Sequence, residues 1–325
     1  FLLSISLIFY QQPHIAMWIG FAIAGYSAIA DDSIQTIGTF LSSNKHRSWW
    51  VLWIYIGAIM AVVLLWGWSQ GDVAYGRLDR IAEPQSFRFL QLAAPVILLI
   101  MTRLAMPVST TFLLLSTFSD SKTIEGMVTK SLIGYGVAFV ASIILWTVVS
   151  RFMKRSQGET QNANQKYWYA FQWMSTGVLW AVWLMQDAAN VVVYLPRALT
   201  FGQISIIIIF LLGVLAFIFR RGGGNIQQVV ESKTDVKDVR SASIIDFFYA
   251  IILFVFKGIS NLPMSTTWVF LGLLAGREIA IVYNRSREDN ESKNRYQRVM
   301  SVISMDLVRA SIGMGISIAL ALAIN

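Results

Sequence analysis

The chain has 325 residues, 56% of them hydrophobic and 14% charged, with a formal net charge of +8 and a mean hydropathy of +0.58. A soluble domain carries about a quarter charged residues, so this composition excludes an ordinary globular domain and indicates an integral membrane protein. The absence of cysteine excludes disulfides and thiolate metal centres, and two isolated histidines, His14 and His46, cannot build a zinc centre without carboxylate help.

In chain order, FLLSISLIFY reads as the tail of a helix whose start is missing, since no basic region precedes it as in a signal peptide. AIADDSIQTIG (28–38) then brings Asp31 and Asp32 into an apolar region. They either cap the helix beginning near Ile34 or serve inside the membrane, where carboxylates are functional by default. WWVLWIYIGAIMAVVLLWGW (49–68) approaches the roughly 20 residues a helical span needs. Residues 89–118 contain AMPVSTTFLLLSTF, in which Pro107 precedes Ser109, Thr110 and Thr111. LIGYGVAFVASIILWTVV (132–149) is a further span, and 151–167 reads as a polar linker.

Beyond the linker, LMQDAANVVVY (184–194) carries Asp187 and Asn190, and ISIIIIFLLGVLAFIF (204–219) is another span. RRGGGN (220–225) lacks the Gly-Lys-Ser/Thr ending of a phosphate loop and reads as the start of a polar connection over 221–242. Residues 243–280 contain NLPMSTTWVFLGLLAG, where Pro263 precedes Ser265, Thr266 and Thr267, and a polar loop at 282–298 leads to the final apolar segment.

These segments repeat. Asp32 matches Asp187, PVSTT matches PMSTT, and KSLIGYG (130–136) matches RASIGMG (309–315), in the same order. The first repeat is 15–150 and the second 168–325. If 89–118 and 243–280 each enter the membrane and return, Lys45, Arg151, Arg220, Arg298 and most other basic residues share one face. Arg77, Arg80, Arg88, Lys122 and Arg197 remain on the other. By the positive-inside bias the richer face is cytoplasmic, and the two repeats then run in opposite directions. The fold expected is an all-α integral membrane protein, an inverted-topology repeat with two re-entrant helical hairpins and interrupted helices. In such folds the substrate site lies near the midplane, because interrupted backbone at that depth must line a polar cavity.

A lone Ser-Thr-Thr in a membrane helix more often bonds a backbone carbonyl or lets helices approach. Its duplication after a proline favours a site, since proline frees backbone groups and opens a helix N-terminus to an anion. Four basic residues fall within apolar segments. Lys130 and Arg309 are repeat equivalents expected to reach the interface, while Arg103 and Lys257 lie close before their prolines and reach either a headgroup layer or the central cavity. No nucleophile, base and acid fall together in a pattern that suggests an enzyme.

The paired acidic and Pro-x-Ser-Thr-Thr motifs, once per half, resemble the inorganic phosphate transporter family, driven by sodium or proton gradients, over roughly residues 15–325. The sequence departs from that pattern at Asp31 and Gln35 in the first acidic motif, at Gln186 in the second, and at Phe112 and Trp268 after the hydroxyls. The resemblance implies an anion held by Ser109, Thr110, Thr111, Ser265, Thr266, Thr267, Asn190 and Gln35. It places sodium or a proton at Asp32, Asp187 and Asp31, and it implies no other metal and no organic cofactor. Arg103 or Lys257 could replace one sodium as a fixed positive charge. Phosphate is the first substrate, with sulfate or bicarbonate, or a receptor that has lost transport, as alternatives. A multi-pass plasma (inner) membrane location follows from the resemblance, with lipid as neighbour, no nucleic-acid partner, and self-association left open.

Overall fold

The computed structural model describes residues 1–104, 108–156, 165–222, 239–286 and 292–324, and within them leaves the side chains of 32–35, 149–156, 165, 241, 285–286 and 292–295 undescribed. Every regular element described is helical. A short α1 (Leu2–Phe9) leads into α2 (Pro13–Ala28), which opens on a proline where the missing N–H costs nothing. A π turn, Ile29–Ser33, interrupts the path before α3 (Ile34–Ser43), and α4 (Trp49–Ser69) follows. After a turn-rich loop come α5 (Phe89–Arg103), a second π turn (Thr111–Leu115), a 3-10 turn (Ser116–Phe118) and α6 (Ser121–Ser156). The second half consists of α7 (Gln165–Val192), α8 (Phe201–Arg220), α9 (Val239–Ile259), α10 (Thr266–Ser286) and α11 (Ser292–Ile324).

Helices reach into the stretches expected to be polar connections: α6 runs to Ser156, α9 begins at Val239 and α10 runs to Ser286. The centres of those stretches, 157–164, 223–238 and 287–291, lie outside the described residues, as does Pro107. The two Ser-Thr-Thr segments also differ in build. In the first half the 15 residues of α5 extend about 22 Å, less than the roughly 30 Å of a hydrocarbon core. In the second half α9 and α10 have 21 residues each, about 31 Å.

The packing pairs off when the halves are exchanged, with α2 and α3 standing for α7, α4 for α8, α5 for α9, residues 111–118 for α10, and α6 for α11. Contact α2–α5 answers α7–α9, and α4–α7 answers α8–α2. Likewise α6 against α10 answers α11 against 111–118, and α6–α9 answers α11–α5. On both α6 and α11 a glycine lies against residues beside a Ser-Thr-Thr run. A Cβ on Gly134 of α6 would meet Val269, and one on Gly313 of α11 would meet Val108, so each glycine presses on the Ser-Thr-Thr segment of the opposite half of the chain. The α6–α10 seam closes further where Gly272 and Gly276, four residues apart, sit over the carbonyls of Tyr135 and Phe139. Small residues at that spacing let membrane helices approach to backbone contact.

Some buried polar groups are met across helices, as an apolar surround favours. Pro95 lacks the N–H that would bond the Gln91 carbonyl one turn back, and the Tyr194 hydroxyl donates to that carbonyl instead, at 2.9 Å. Trp180 donates its indole N–H to Ile56 O at 3.0 Å, joining α7 to α4. Tryptophans at helix ends, such as Trp50 and Trp66, are exposed and fit interfacial anchors, whereas Trp180 and Trp183 stack inside.

Candidate functional site

Serines start both Ser-Thr-Thr segments in the same way. Ser109 Oγ accepts the N–H of Phe112 at 3.2 Å, and Ser265 Oγ accepts that of Trp268 at 3.2 Å. Each serine is thus a helix cap, the role its residue type favours. A capping hydroxyl acts as an acceptor, so its own proton stays available to a further partner.

The threonines bring the halves together. Thr111 Oγ1 donates to Asp187 Oδ1 at 3.2 Å and lies 3.4 Å from the Met264 carbonyl, in the segment that leads into the second motif. Asn190 Nδ2 donates to the same Asp187 oxygen at 2.9 Å and to Thr111 Oγ1 at 3.3 Å, and the Thr266 hydroxyl also faces the Asp187 carboxylate. Asp187 is 2% exposed, and Thr110, Thr111, Asn190, Thr266 and Thr267 are buried with it. Among the described residues, three polar atoms here have no hydrogen-bond partner: Asp187 Oδ2, Asn190 Oδ1 and Thr110 Oγ1. Two are acceptors only, and a carboxylate and an amide oxygen left unmet together form a donor set suited to a hard cation.

Asp31 is buried in the first π turn, and Thr36 and Thr39 are buried in α3. The side chains of Asp32 and Gln35 lie outside the described residues.

Arg103 ends α5 exposed. Lys257 is half-buried, its Nζ 5.6 Å from the centre of the Tyr75 ring. The basic side chain beside Asp187 is instead Arg77, which the loop charges had assigned to one membrane face and which is 1% exposed. Its Nη1 donates to Ser260 O at 3.1 Å and Leu262 O at 2.9 Å, its Nη2 donates to Gln186 Oε1, and its Nε is buried with no partner among the described residues. Burial pulls the guanidinium down to about 10, and the nearby Asp187 charge acts the other way, so Arg77 stays protonated at neutral pH. Gly76, at φ 79°, makes this placement possible. A Cβ there would lie 2.6 Å from Asn261 Nδ2, so a larger residue would push the loop from the turn that Arg77 holds.

Lys130 also differs from its expected interfacial position. It donates to Ser260 O at 2.9 Å and Leu262 O at 2.8 Å, while the neighbouring Ser131 Oγ accepts the N–H of Ser265 at 2.8 Å. The break before Pro263 leaves carbonyls that no helix satisfies, and two basic side chains meet them. Asp246 of α9 was not singled out from sequence. It is 1% exposed and takes hydrogen bonds from Thr39 and Thr176.

A chain with seven helices long and apolar enough to cross a membrane among its described residues, and with carboxylates and hydroxyls gathered inside, has the build of a multi-pass membrane protein. No protein-family profile matches it, nor does any curated protein sequence. Its fold is similar to that of a solved structure described as "The sodium-dependent phosphate transporter", with 15% identity, a TM-score of 0.59, and 96% of this chain aligned to 98% of that one.

Proposed function

We propose that this protein is a secondary transporter that moves a small inorganic oxyanion, phosphate first, together with sodium or protons across the plasma (inner) membrane. The observation that carries this reading is the meeting of both Ser-Thr-Thr segments at Asp187 and Asn190, with polar oxygens at the junction that no described residue satisfies. The likeness of fold to a structure described as a sodium-dependent phosphate transporter supports it.

In this reading Asp187 Oδ2 and Asn190 Oδ1 hold the cation. The hydroxyl protons of Ser109, Thr110, Ser265 and Thr267 replace water around the anion, with Gln35 and Asp32 completing the site from the first half. Carboxylates alone would repel an anion, so cation and anion must bind together, and this is the physical basis of coupling. Arg77 supplies the fixed positive charge first sought at Arg103 or Lys257. The halves 15–150 and 168–325 form an inverted repeat with re-entrant segments at 89–118 and 243–280. Rocking one half against the other exposes the site to either side in turn. The chemistry is binding and release, with no enzymatic step.

Uptake of labelled phosphate, sulfate and bicarbonate into liposomes holding the purified protein, under an imposed sodium or proton gradient, tests this. Gradient-driven phosphate uptake is expected. Uptake of sulfate or bicarbonate in its place would favour a site retuned by Arg77, and uptake of none would leave a receptor on the same scaffold.

A further inference from the structure

Arg309 of α11 is the repeat counterpart of Lys130, yet the two are placed differently. Lys130 is bound to the carbonyls of the 260–262 turn, whereas Arg309 is exposed on the wall of a half-enclosed cavity of about 450 Å³ between α6, α10 and α11. That volume lies within the roughly 300–1,000 Å³ of small-ligand sites, and the lining has their mixture of an apolar body with a few charged groups. Leu271 and Leu274 of α10, with Val302 and Met305 of α11, supply the apolar part.

The α11 wall follows one stripe. Arg298, Val302, Met305 and Arg309 recur at alternating spacings of four and three residues, so they share a helix face, with a basic residue at each end of two apolar ones. All four are exposed, and the stripe continues to exposed Ile312, with exposed Val308 beside it. The cavity is therefore continuous with an apolar surface of the kind that meets a membrane.

Depth and charge select the ligand. The 33 residues of α11 extend about 50 Å, well beyond a hydrocarbon core of about 30 Å. Residues 310–324 carry no charge, so that run takes the core and the charged turns from Arg298 to Arg309 reach the headgroup layer. On the α10 wall Glu278 is paired with Arg277 at 2.6 Å, which leaves Arg298 and Arg309 against Asp306 and a net positive lining. A second copy of the chain, packed face to face, would bring its own arginines against these. A phosphate diester is the better match, because it is anionic and accepts paired hydrogen bonds from guanidinium forks, and basic pockets between membrane helices suit such headgroups.

We propose that this cavity binds an anionic phospholipid, its phosphate held between Arg298 and Arg309 and an acyl chain lying against Leu271, Leu274, Val302 and Met305. Leu271 is one turn along α10 from Thr267, and Tyr135 at the cavity edge meets Trp268 edge-on at 6.0 Å. The lipid thus packs behind the second Ser-Thr-Thr segment without entering the Asp187 junction, and the proposal does not rest on the transport reading.

Melting temperatures of the purified, delipidated protein in detergent test it, with phosphatidylglycerol, phosphatidylcholine or the chain-free headgroup diester glycerophosphoglycerol added in turn. A ligand that binds the native state raises the melting temperature as it saturates. Phosphatidylglycerol should do so at concentrations where the other two do not. Arg298→Gln and Arg309→Gln should each raise its half-saturating concentration about tenfold, the equivalent of one charge-assisted hydrogen bond. Val302→Trp, which keeps both arginines and puts bulk where the chain lies, should also weaken it, whereas Arg221→Gln at the exposed end of α8 should not. Equal shifts with phosphatidylcholine overturn the proposal in the wild type alone, whatever the variants do. Equal shifts with the chain-free diester would assign the site to a free phosphate ester, and a phosphatidylglycerol response unchanged in both arginine variants, or reduced as much in Arg221→Gln, would reduce it to diffuse surface attraction. A doubled particle mass that Val302→Trp abolishes, with no response to phosphatidylglycerol, would give the cavity to a second copy and likewise overturn it.

Discussion

Ser109 and Thr111 are two residues apart and differ in what their oxygens do. Ser109 accepts a backbone N–H at the start of its segment, whereas Thr111 bridges Asp187, Asn190 and the Met264 carbonyl. Ser109→Ala or Ser265→Ala should therefore lower stability by about 1 kcal/mol through the lost cap, read as a fall in melting temperature, besides any loss of anion affinity. Thr111→Val keeps the cap and should weaken ligand binding by about 1.5–3 kcal/mol, roughly 10- to 150-fold, a larger loss of affinity than either serine substitution gives. Affinity lost equally in the serine variants and in Thr111→Val would contradict this division. The junction was legible in the sequence because hydroxyls and carboxylates inside apolar runs stand out, and the repeat doubled the signal. Arg77 was not legible: a basic residue in a loop reads as a surface charge, and only the fold shows that the loop turns inward against 260–262. Asp246 was missed because it has no counterpart in the other half and sits near the start of its apolar run, where burial is not apparent from sequence.

At the scale of elements, α6 does more than span. Its Lys130 and Ser131 satisfy the break before the second Ser-Thr-Thr, and its Tyr135 and Phe139 carbonyls receive Gly272 and Gly276 of α10. The glycine spacing was in the sequence, but its partner helix was not, because small residues mark a close approach without saying to what. The start of α6 offers a pH test. Asp120 accepts the Thr123 N–H at 2.9 Å, and the Thr123 hydroxyl and N–H hold its carboxyl below the ordinary carboxylate value. A carboxyl lowered in this way stabilises the fold above its unfolded value, and the contribution is lost as pH falls through the lower folded value. Asp120→Asn should thus melt below the wild type at neutral pH, and the gap should close in acid. A gap that persists once both chains are protonated would place the effect elsewhere.

Over the whole molecule, the helix contacts of the first half have counterparts among those of the second when the halves are exchanged. What the sequence could not show was the unequal build of the two Ser-Thr-Thr segments, since apolar content is similar on both sides of each proline while helix length depends on how neighbours pack. The proposed inversion places the entries of α4 and α8 on opposite sides of the membrane. Because the chain has no cysteine, Lys45→Cys and Gly202→Cys, both at exposed positions, can be labelled singly with an impermeant thiol reagent. Lys45→Cys should react from the cytoplasmic side and Gly202→Cys from the other. Labelling of both from one side would contradict the inversion.

The central claim is that the junction of Thr111, Asp187, Asn190 and Thr266 binds an oxyanion and a cation together. Calorimetric binding of phosphate to the purified protein, in sodium and in choline, at a pH where the fold is stable, tests it most directly. The account predicts phosphate binding that tightens with sodium or with added protons, weakens about 10-fold or more in Thr111→Val, and loses its cation dependence in Asp187→Asn. Phosphate binding of equal strength in the wild type and both variants, with cation dependence unchanged, would contradict it.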